Sequence, residues 1–182
     1  LFRSITGLGA LDGVSAIYGV HLWTPLPFGT IASAPGPVMA AENEFFVEIR
    51  GKGGHGGMPH EAVDAIAAGA AFVQAVQTIV SRSVNPLEPA VVTIGSFQAG
   101  TAPNIVADTC RLSGTVRTFD ASVRDRVQER LRVIADAVCR QFGAEYSLDW
   151  RDGYPPVVND EREAERFFAV ARRIFGGDAV QL

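Results

Sequence analysis

Hydrophobic residues follow two different periodicities in the middle of the chain. Residues 45–50 alternate between apolar and polar positions, which is typical of a half-buried strand. Over residues 61 to about 82, apolar residues recur every three or four positions, which predicts a helix with one apolar face. The proline-containing stretch 85–89 ends this helix. Strands are predicted next over 90–97, which is rich in β-branched residues, and over 111–119.

A second helix and a fourth strand complete this pattern. Asp120 suits the N-cap of a helix whose apolar residues lie on one face, and Gly143 suits its C-terminal end. Residues 144–150 then alternate again. The order β-α-β-β-α-β predicts a ferredoxin-like α+β sandwich, in which two helices cover one face of a four-stranded antiparallel sheet.

The flanking segments do not belong to this unit. Residues 14–22 predict a short strand that ends near His21, residues 29–41 one or two more strands, and residues 160–175 a helix. Both ends of the chain look like cuts within a longer protein. A domain inserted between two parts of another fold explains this order, with predicted boundaries at 1–42, 43–152 and 153–182.

Composition narrows the class of protein. The 182 residues are 47% apolar and 20% charged, and the net charge of -4 argues against a nucleic-acid partner. We expect no membrane partner, because no apolar run long enough to span a bilayer is evident. Cys110 and Cys139 lack the spacing of a metal or redox motif, so we expect buried, reduced thiols and a cytoplasmic protein.

The segment from Gly51 to His60 is the strongest chemical signal. Several glycines surround His55 and His60 directly after the first predicted strand. Glycine permits positive φ and close approach of the backbone to another molecule. A histidine held there could donate a hydrogen bond, transfer a proton or bind a metal ion. The alternative is that His55 only occupies a flexible turn.

Four stretches, taken in order, resemble one known family. They are Tyr18–Trp23 with Pro25–Gly29, Gly51–His55 with Pro59, His60 and Asp64, Ala99–Val106 with Asp108, and Gly114–Phe119. The chain is similar to metal-dependent M20 peptidases, in particular the amidohydrolase branch of aminoacylases, hippurate hydrolases and auxin-conjugate hydrolases. The resemblance implies that a ferredoxin-like lid, or dimerisation, domain interrupts an α/β zinc-peptidase-like catalytic domain.

The resemblance also implies a divalent metal pair. Zinc is the first expectation, and manganese, cobalt or nickel are alternatives. His21 matches one metal ligand of the family. Without the resemblance, a single histidine at the end of an apolar strand is more often structural. The family's other ligands and its Glu-Glu pair have no counterpart here, so this segment should not bind the metal pair fully.

Three further positions match residues of the lid. His55 matches a histidine that stabilises the oxyanion in the partner subunit's site, and Asn104 matches an asparagine that binds substrate there. Arg117 would suit the carboxylate of an acylated amino acid, because a guanidinium binds a carboxylate bidentately. A cross-strand salt bridge is an equal alternative for Arg117. His60 could contribute to the site or stabilise the turn.

The resemblance therefore implies part of a metal-dependent amidohydrolase that hydrolyses the amide bond of N-acyl amino acids or related conjugates. We expect the parent enzyme to be a homodimer joined through the lid, with the second helix and its neighbouring strand at the seam. The isolated segment should be inactive. The alternative is a free-standing ferredoxin-like dimerisation or binding module without catalytic activity.

Overall fold

The computed structural model describes residues 9–181, so residues 1–8 and Leu182 of the predicted flanking fragments lie outside the described residues. The strands are β1 Ile31–Ala32, β2 Gly36–Met39, β3 Ala41–Arg50, β4 Gly54–His55, β5 Ala90–Ala99, β6 Ile105–Val106, β7 Thr109–Thr118, β8 Glu145–Asp152, β9 Val157–Asn159 and β10 Val180–Gln181. The helices are α1 Ala65–Val76, α2 Thr78–Ser83, α3 Ala121–Phe142 and α4 Glu161–Phe175. Short 3₁₀ turns cover Pro59–Glu61 and Gly177–Ala179.

The chain divides into two units. The larger one is Pro37–Val158, and the smaller one comprises the chain up to Gly36 and from Asn159 onward. In the larger unit, four strands form a sheet in the order β5-β7-β3-β8, and all neighbouring pairs are antiparallel. The unit thus has a mixed α/β architecture, and its long elements follow the order predicted from the sequence.

One face of this sheet carries the hydrophobic core. Alternate residues of β3, including Phe45, Val47 and Ile49, are buried, as the period of a strand with one covered face requires. They share a cluster with Phe72 of α1 and Leu131 of α3. Both long helices therefore pack on the same face, and the other face of the sheet carries the polar residues.

The first helix differs from the prediction at both ends. It was predicted over residues 61–82 as one element, but α1 begins only after Asp64. The Asp64 carboxylate accepts hydrogen bonds from two backbone N–H groups of the first turn at 2.8 and 3.1 Å, which makes it the N-cap. At the other end, the Gln77 N–H bonds to the Gln74 carbonyl three residues back, so the helix tightens and is interrupted before α2.

The ends of α3 confirm the sequence prediction. Asp120 accepts hydrogen bonds from the N–H groups of Ser122 and Val123, and Gly143 has the left-handed conformation, with φ of 69°. Hydrogen bonds from the Ser122 hydroxyl and then from these backbone N–H groups lower the pKa of Asp120. The cap residues alone therefore fixed the limits of this long helix.

The smaller unit contains a short parallel pair, β1 with β10, and the helix α4. The side chain of Asn159 donates to the Ser33 hydroxyl and the Ala34 carbonyl. The strand predicted over residues 14–22 is wrong, because these residues pair with no strand in the described part of the chain. Without such a partner their backbone groups are left to solvent, and Val20 and Leu22 are 92% and 89% exposed.

Both cysteines are free and buried, as predicted. Burial raises the pKa of the Cys110 thiol to about 11 and also raises the pKa of Cys139. Neither thiol therefore has the lowered pKa that marks a reactive cysteine.

The expectation that no apolar run is long enough to span a bilayer is wrong for one helical stretch. Ala65–Ser83, which spans α1 and α2, is long and apolar enough to cross a membrane by length and composition alone. Core helices of globular domains meet the same criterion, and Ala65, Ala68 and Phe72 of this stretch lie in the core. Only 33% of the stretch is buried, so it also presents apolar residues outward.

Candidate functional site

Two of the residues singled out in the sequence come together in the larger unit. The short strand β4 pairs with β6, which places His55 opposite Ile105. Immediately beyond this pair, the Gly56 N–H donates to the Asn104 carbonyl at 2.8 Å. His55 and Asn104 thus lie on adjacent backbone segments, although they belong to loops that are far apart in the sequence.

The glycines of this loop allow close backbone approach. None of the residues 51–57 has positive φ, so that part of the expectation is wrong. A Cβ atom at Gly51 would lie 2.1 Å from the Val63 carbonyl oxygen, and one at Gly56 would lie 2.9 Å from the Asn104 carbonyl oxygen. The glycines let the loop pack against its own protein, which holds His55 in place.

The ring of His55 has a defined tautomer. The Gly57 N–H donates to His55 Nδ1 at 2.9 Å. Because a backbone N–H can only donate, Nδ1 must be the acceptor, and the ring proton of the neutral imidazole is on Nε2. His55 is exposed, so this Nε2–H can donate to another molecule.

A pocket of about 720 Å³ lies beside these two residues, which is a volume typical of small-molecule sites. Its polar lining includes His55, Gln98, Thr101, Asn104, Asp108 and Arg111. The Asn104 side chain makes no hydrogen bond to another described residue, so its amide group is available to hydrogen-bond a ligand. No role for Arg111 is predicted from the sequence, because only the fold brings its strand position to the pocket.

Arg117 does not join this group. Thr109, at the start of β7, lines the pocket, whereas Arg117 lies near the end of the same strand. The two residues are therefore roughly 25 Å apart along β7. Its guanidinium lies 3.7 Å from Glu42 on β3 and donates to the Thr115 hydroxyl. The cross-strand ion pair considered as the alternative is therefore present.

His60 occupies the 3₁₀ turn at the end of the same loop. It is exposed, and its Nε2 lies 4.0 Å from the Glu61 carboxylate. Such an exposed pair contributes little to stability. His60 does not line the pocket, and the contact with Glu61 fits the role in the turn better than a role in the site.

His21 belongs to the smaller unit, where its geometry suits a metal ligand. Its Nδ1 lies 2.6 Å from the Leu22 carbonyl oxygen, which can only accept, so Nδ1 carries the proton. Nε2 then keeps its lone pair, the arrangement found when a backbone carbonyl orients a ligating histidine. The described residues contain no group of three or more His, Cys, Asp or Glu side chains that could hold a metal ion. His21 thus fits as one ligand of an incomplete set.

Comparison with known proteins identifies the family. Residues 43–142 match the model of the peptidase dimerisation domain of the M20 family. The chain belongs to the M20 peptidase family. The match covers β3 to α3 and thus includes His55, Asn104 and Arg117.

Several relatives carry names of hydrolases that act on N-acyl amino acids. The chain is 47% identical over 151 residues to the N-acyl-L-amino acid amidohydrolase of Geobacillus stearothermophilus, covering 83% of this chain and 41% of that protein. It is 41% identical to the N-acetyldiaminopimelate deacetylase of Shouchella clausii, covering 86% of this chain and 42% of the relative. The chain thus spans about two fifths of the length of these curated relatives.

A solved structure agrees with this assignment. A dinuclear metal-binding M20 peptidase from Bacillus subtilis superposes with a TM-score of 0.70 at 34% identity. The superposition covers 94% of this chain and 42% of that protein. The fold of the family therefore extends over nearly the whole chain.

Proposed function

We propose that this chain is part of a metal-dependent amidohydrolase that hydrolyses the amide bond of N-acyl amino acids or related conjugates. The observation that carries the proposal is that His55 and Asn104 lie on adjacent segments beside one pocket, with the His55 Nε2–H on the opposite side of the ring from the hydrogen bond to Gly57. The family and the names of the relatives support the reaction class.

We further propose that the region 43–152 is a ferredoxin-like lid and dimerisation domain. The strand order β5-β7-β3-β8 and the two helices on one face support this assignment. The segments 1–42 and 153–182 would then be parts of the catalytic domain that the lid interrupts. We place the homodimer contact in the lid.

His55 and Asn104 act on the reacting carbonyl in this scheme. Hydrolysis of an amide places negative charge on the carbonyl oxygen in the transition state. The His55 Nε2–H donates to that oxygen, and the Asn104 amide holds the substrate beside it. Each preorganised donor of this kind lowers the barrier by a few kcal/mol, because it needs no reorganisation when the charge develops.

The metal pair would be held largely by residues outside this chain. His21 would supply one ligand through Nε2, and the other ligands belong to the remaining catalytic domain. Zinc, or manganese, cobalt or nickel in its place, polarises the carbonyl and lowers the pKa of water when bound. The metal pair of the solved M20 relative supports this part of the proposal.

The position of Arg117 supports a scheme in which two subunits share each substrate. Arg117 and His55 of one chain are too far apart along β7 to contact the same small molecule. If Arg117 binds the substrate carboxylate while His55 binds the carbonyl oxygen, the two side chains come from different subunits. To reach the substrate, Arg117 must exchange its ion pair with Glu42 for the substrate carboxylate.

Subunit mixing tests this proposal in the complete enzyme. His55→Ala should lower kcat on the order of 10²–10³-fold with little change in KM, because the lost contact forms in the transition state. Its metal content should not change, whereas His21→Ala should lose bound metal. Mixed dimers of the two variants should recover part of the activity, since one site would combine an intact metal centre with an intact partner His55.

The mixing experiment has a clear negative outcome. If heterodimers form, as tagged subunits would show, and no activity returns, His55 does not act across the dimer. His60→Ala is the matched control from the same loop, and it should leave kcat within about twofold because His60 does not line the pocket.

The alternative function is a free-standing dimerisation module without catalysis. The lack of a three-ligand cluster among residues 9–181 favours it for the isolated chain. We therefore expect the purified 182-residue chain to show no amidase activity on N-acyl amino acids with added zinc, manganese, cobalt or nickel. Metal-dependent turnover would contradict this expectation.

A further inference from the structure

Arg111 brings a positive charge to the pocket that His55 and Asn104 line. It lies on β7 between Glu48 of β3 and Gln98 of β5, on the face of the sheet away from the core. Its side chain is 65% exposed. His55, Asn104 and an exposed guanidinium thus line one concave surface.

The contacts of Arg111 leave most of its donors available. Its Nε donates to one oxygen of Glu48 at 2.8 Å, and the other oxygen of Glu48 accepts from Arg50 Nε at 2.6 Å. These hydrogen bonds, first from Arg50 and then from Arg111, lower the pKa of Glu48. The terminal amino groups of Arg111 make no hydrogen bond to another residue of the described chain, and a guanidinium presents them as a fork that fits a carboxylate.

The charges around Glu48 do not cancel. Two guanidinium groups share one carboxylate, so this cluster keeps one net positive charge. Asp108 also lines the pocket and carries the opposite charge, but no ion pair joins it to Arg111 among the described residues. A ligand anion in the pocket is therefore attracted by Arg111 and repelled by Asp108.

We propose that Arg111 selects substrates that carry a second carboxylate beyond the one next to the scissile amide. This inference rests on the proposed amidohydrolase function and deepens it, because it names the chemical class of substrate. Arg117 of the same subunit cannot bind this second carboxylate, since six residues of extended strand place the two arginines roughly 20 Å apart. Arg111 is thus a specificity-determining residue.

Three substrates test the proposal in the complete enzyme. N-acetyl-L-methionine carries one carboxylate, N-acetyl-L-glutamate adds one on the amino-acid side, and N-succinyl-L-methionine adds one on the acyl side. Arg111→Gln should lower kcat/KM on the order of tenfold for at least one doubly charged substrate. For N-acetyl-L-methionine it should stay within about twofold. Arg111→Lys should retain part of the preference, because the charge remains while the fork is lost.

Arg50 provides the matched control. It shares Glu48 with Arg111 and is similarly exposed, but it does not line the pocket. Arg50→Gln should leave the ratio of the kcat/KM values unchanged, whereas Asp108→Asn should raise the value for the doubly charged substrate. Equal losses on all substrates with Arg111→Gln, or no loss on any, would overturn the proposal. So would a wild-type enzyme that hydrolyses N-acetyl-L-methionine and neither doubly charged substrate, while failure on all three would overturn the proposed function itself.

Discussion

At the scale of single residues, the surroundings of a side chain decide its chemistry in this protein. His55 has an exposed ring whose tautomer is set by one backbone N–H group. Cys110 has a thiol that is fully enclosed by apolar neighbours of the core. Burial disfavours the thiolate, which is why its pKa rises to about 11. His55 can therefore donate a hydrogen bond to a ligand, whereas Cys110 acts as a small apolar residue that fills the core.

The raised pKa of Cys110 predicts a loss of stability in alkaline solution. The unfolded chain loses the thiol proton near pH 9.0, whereas the folded chain holds it until about pH 11. Within this window the folded state binds more protons, so the free energy of unfolding falls as the pH rises. Urea denaturation at pH 8 and at pH 10.5 should show this fall, and Cys110→Ala should reduce its slope. An identical slope in the variant would assign the effect to other groups.

At the scale of elements, α1 packs very closely against the sheet at one point of the core. Gly69 of α1 faces Cys110 of β7 at that point, and a Cβ atom on Gly69 would lie 2.5 Å from the Cys110 sulfur. The ring of Phe97 on β5 would be 3.0 Å from the same atom. The helix thus needs its glycine here for close approach to the sheet, despite the poor helix propensity of that residue.

Gly69→Ala should therefore destabilise the fold. The gain in helix propensity is about 1 kcal/mol, while overpacking of a core costs roughly 1–3 kcal/mol, so we expect a net loss. Adding Cys110→Ala removes the sulfur that the new methyl group meets and should recover part of the loss. A double-mutant cycle measured by urea denaturation gives the coupling between the two sites. Additive effects of the two changes would show that they do not share this contact.

At the scale of the whole molecule, the two edges of the sheet have different surfaces. The edge at β8 lies beside α3, whose outward positions are mostly charged although Val133 is also exposed, and charged edges discourage pairing. The edge at β5 lies beside α1, where Ile66 and Ala70 are exposed and Phe97 is 41% exposed. An apolar helix face beside an open strand favours pairing with a second copy. We therefore propose that the lid pairs through α1 and β5. Pairing through the second helix and its neighbouring strand, as expected from the sequence, is the alternative.

A charge on α1 should therefore weaken the dimer. Ala70→Arg places a charged group on the exposed side of α1, where it would have to be buried in the proposed contact. Val133→Arg is the matched control, because Val133 is 41% exposed on α3 at the other side of the sheet. Sedimentation velocity at tens of micromolar should show a shift toward monomer for Ala70→Arg only. The reverse result would place the contact at α3 and β8.

The sequence by itself determined the elements whose signals are local. The apolar period of α3 and its caps at Asp120 and Gly143 predicted that helix, because capping and amphipathic burial depend on neighbouring residues. The same reasoning predicted the long strands β3, β5, β7 and β8, since alternation shows which face is covered. The glycine-rich motif around His55 and its resemblance to the M20 family indicated the candidate site before any geometry was known.

Only the tertiary structure decided which distant segments meet. The pairing of β4 with β6 brings His55 to Asn104, and the sheet register brings Arg111 to their pocket while it keeps Arg117 away. The absence of a strand over residues 14–22 has the same origin, because a strand exists only where a second segment supplies its hydrogen-bond partners. Local sequence patterns indicate which secondary structure each segment can form. The contacts between segments that are far apart in the chain depend on register and path, which no single window of sequence contains.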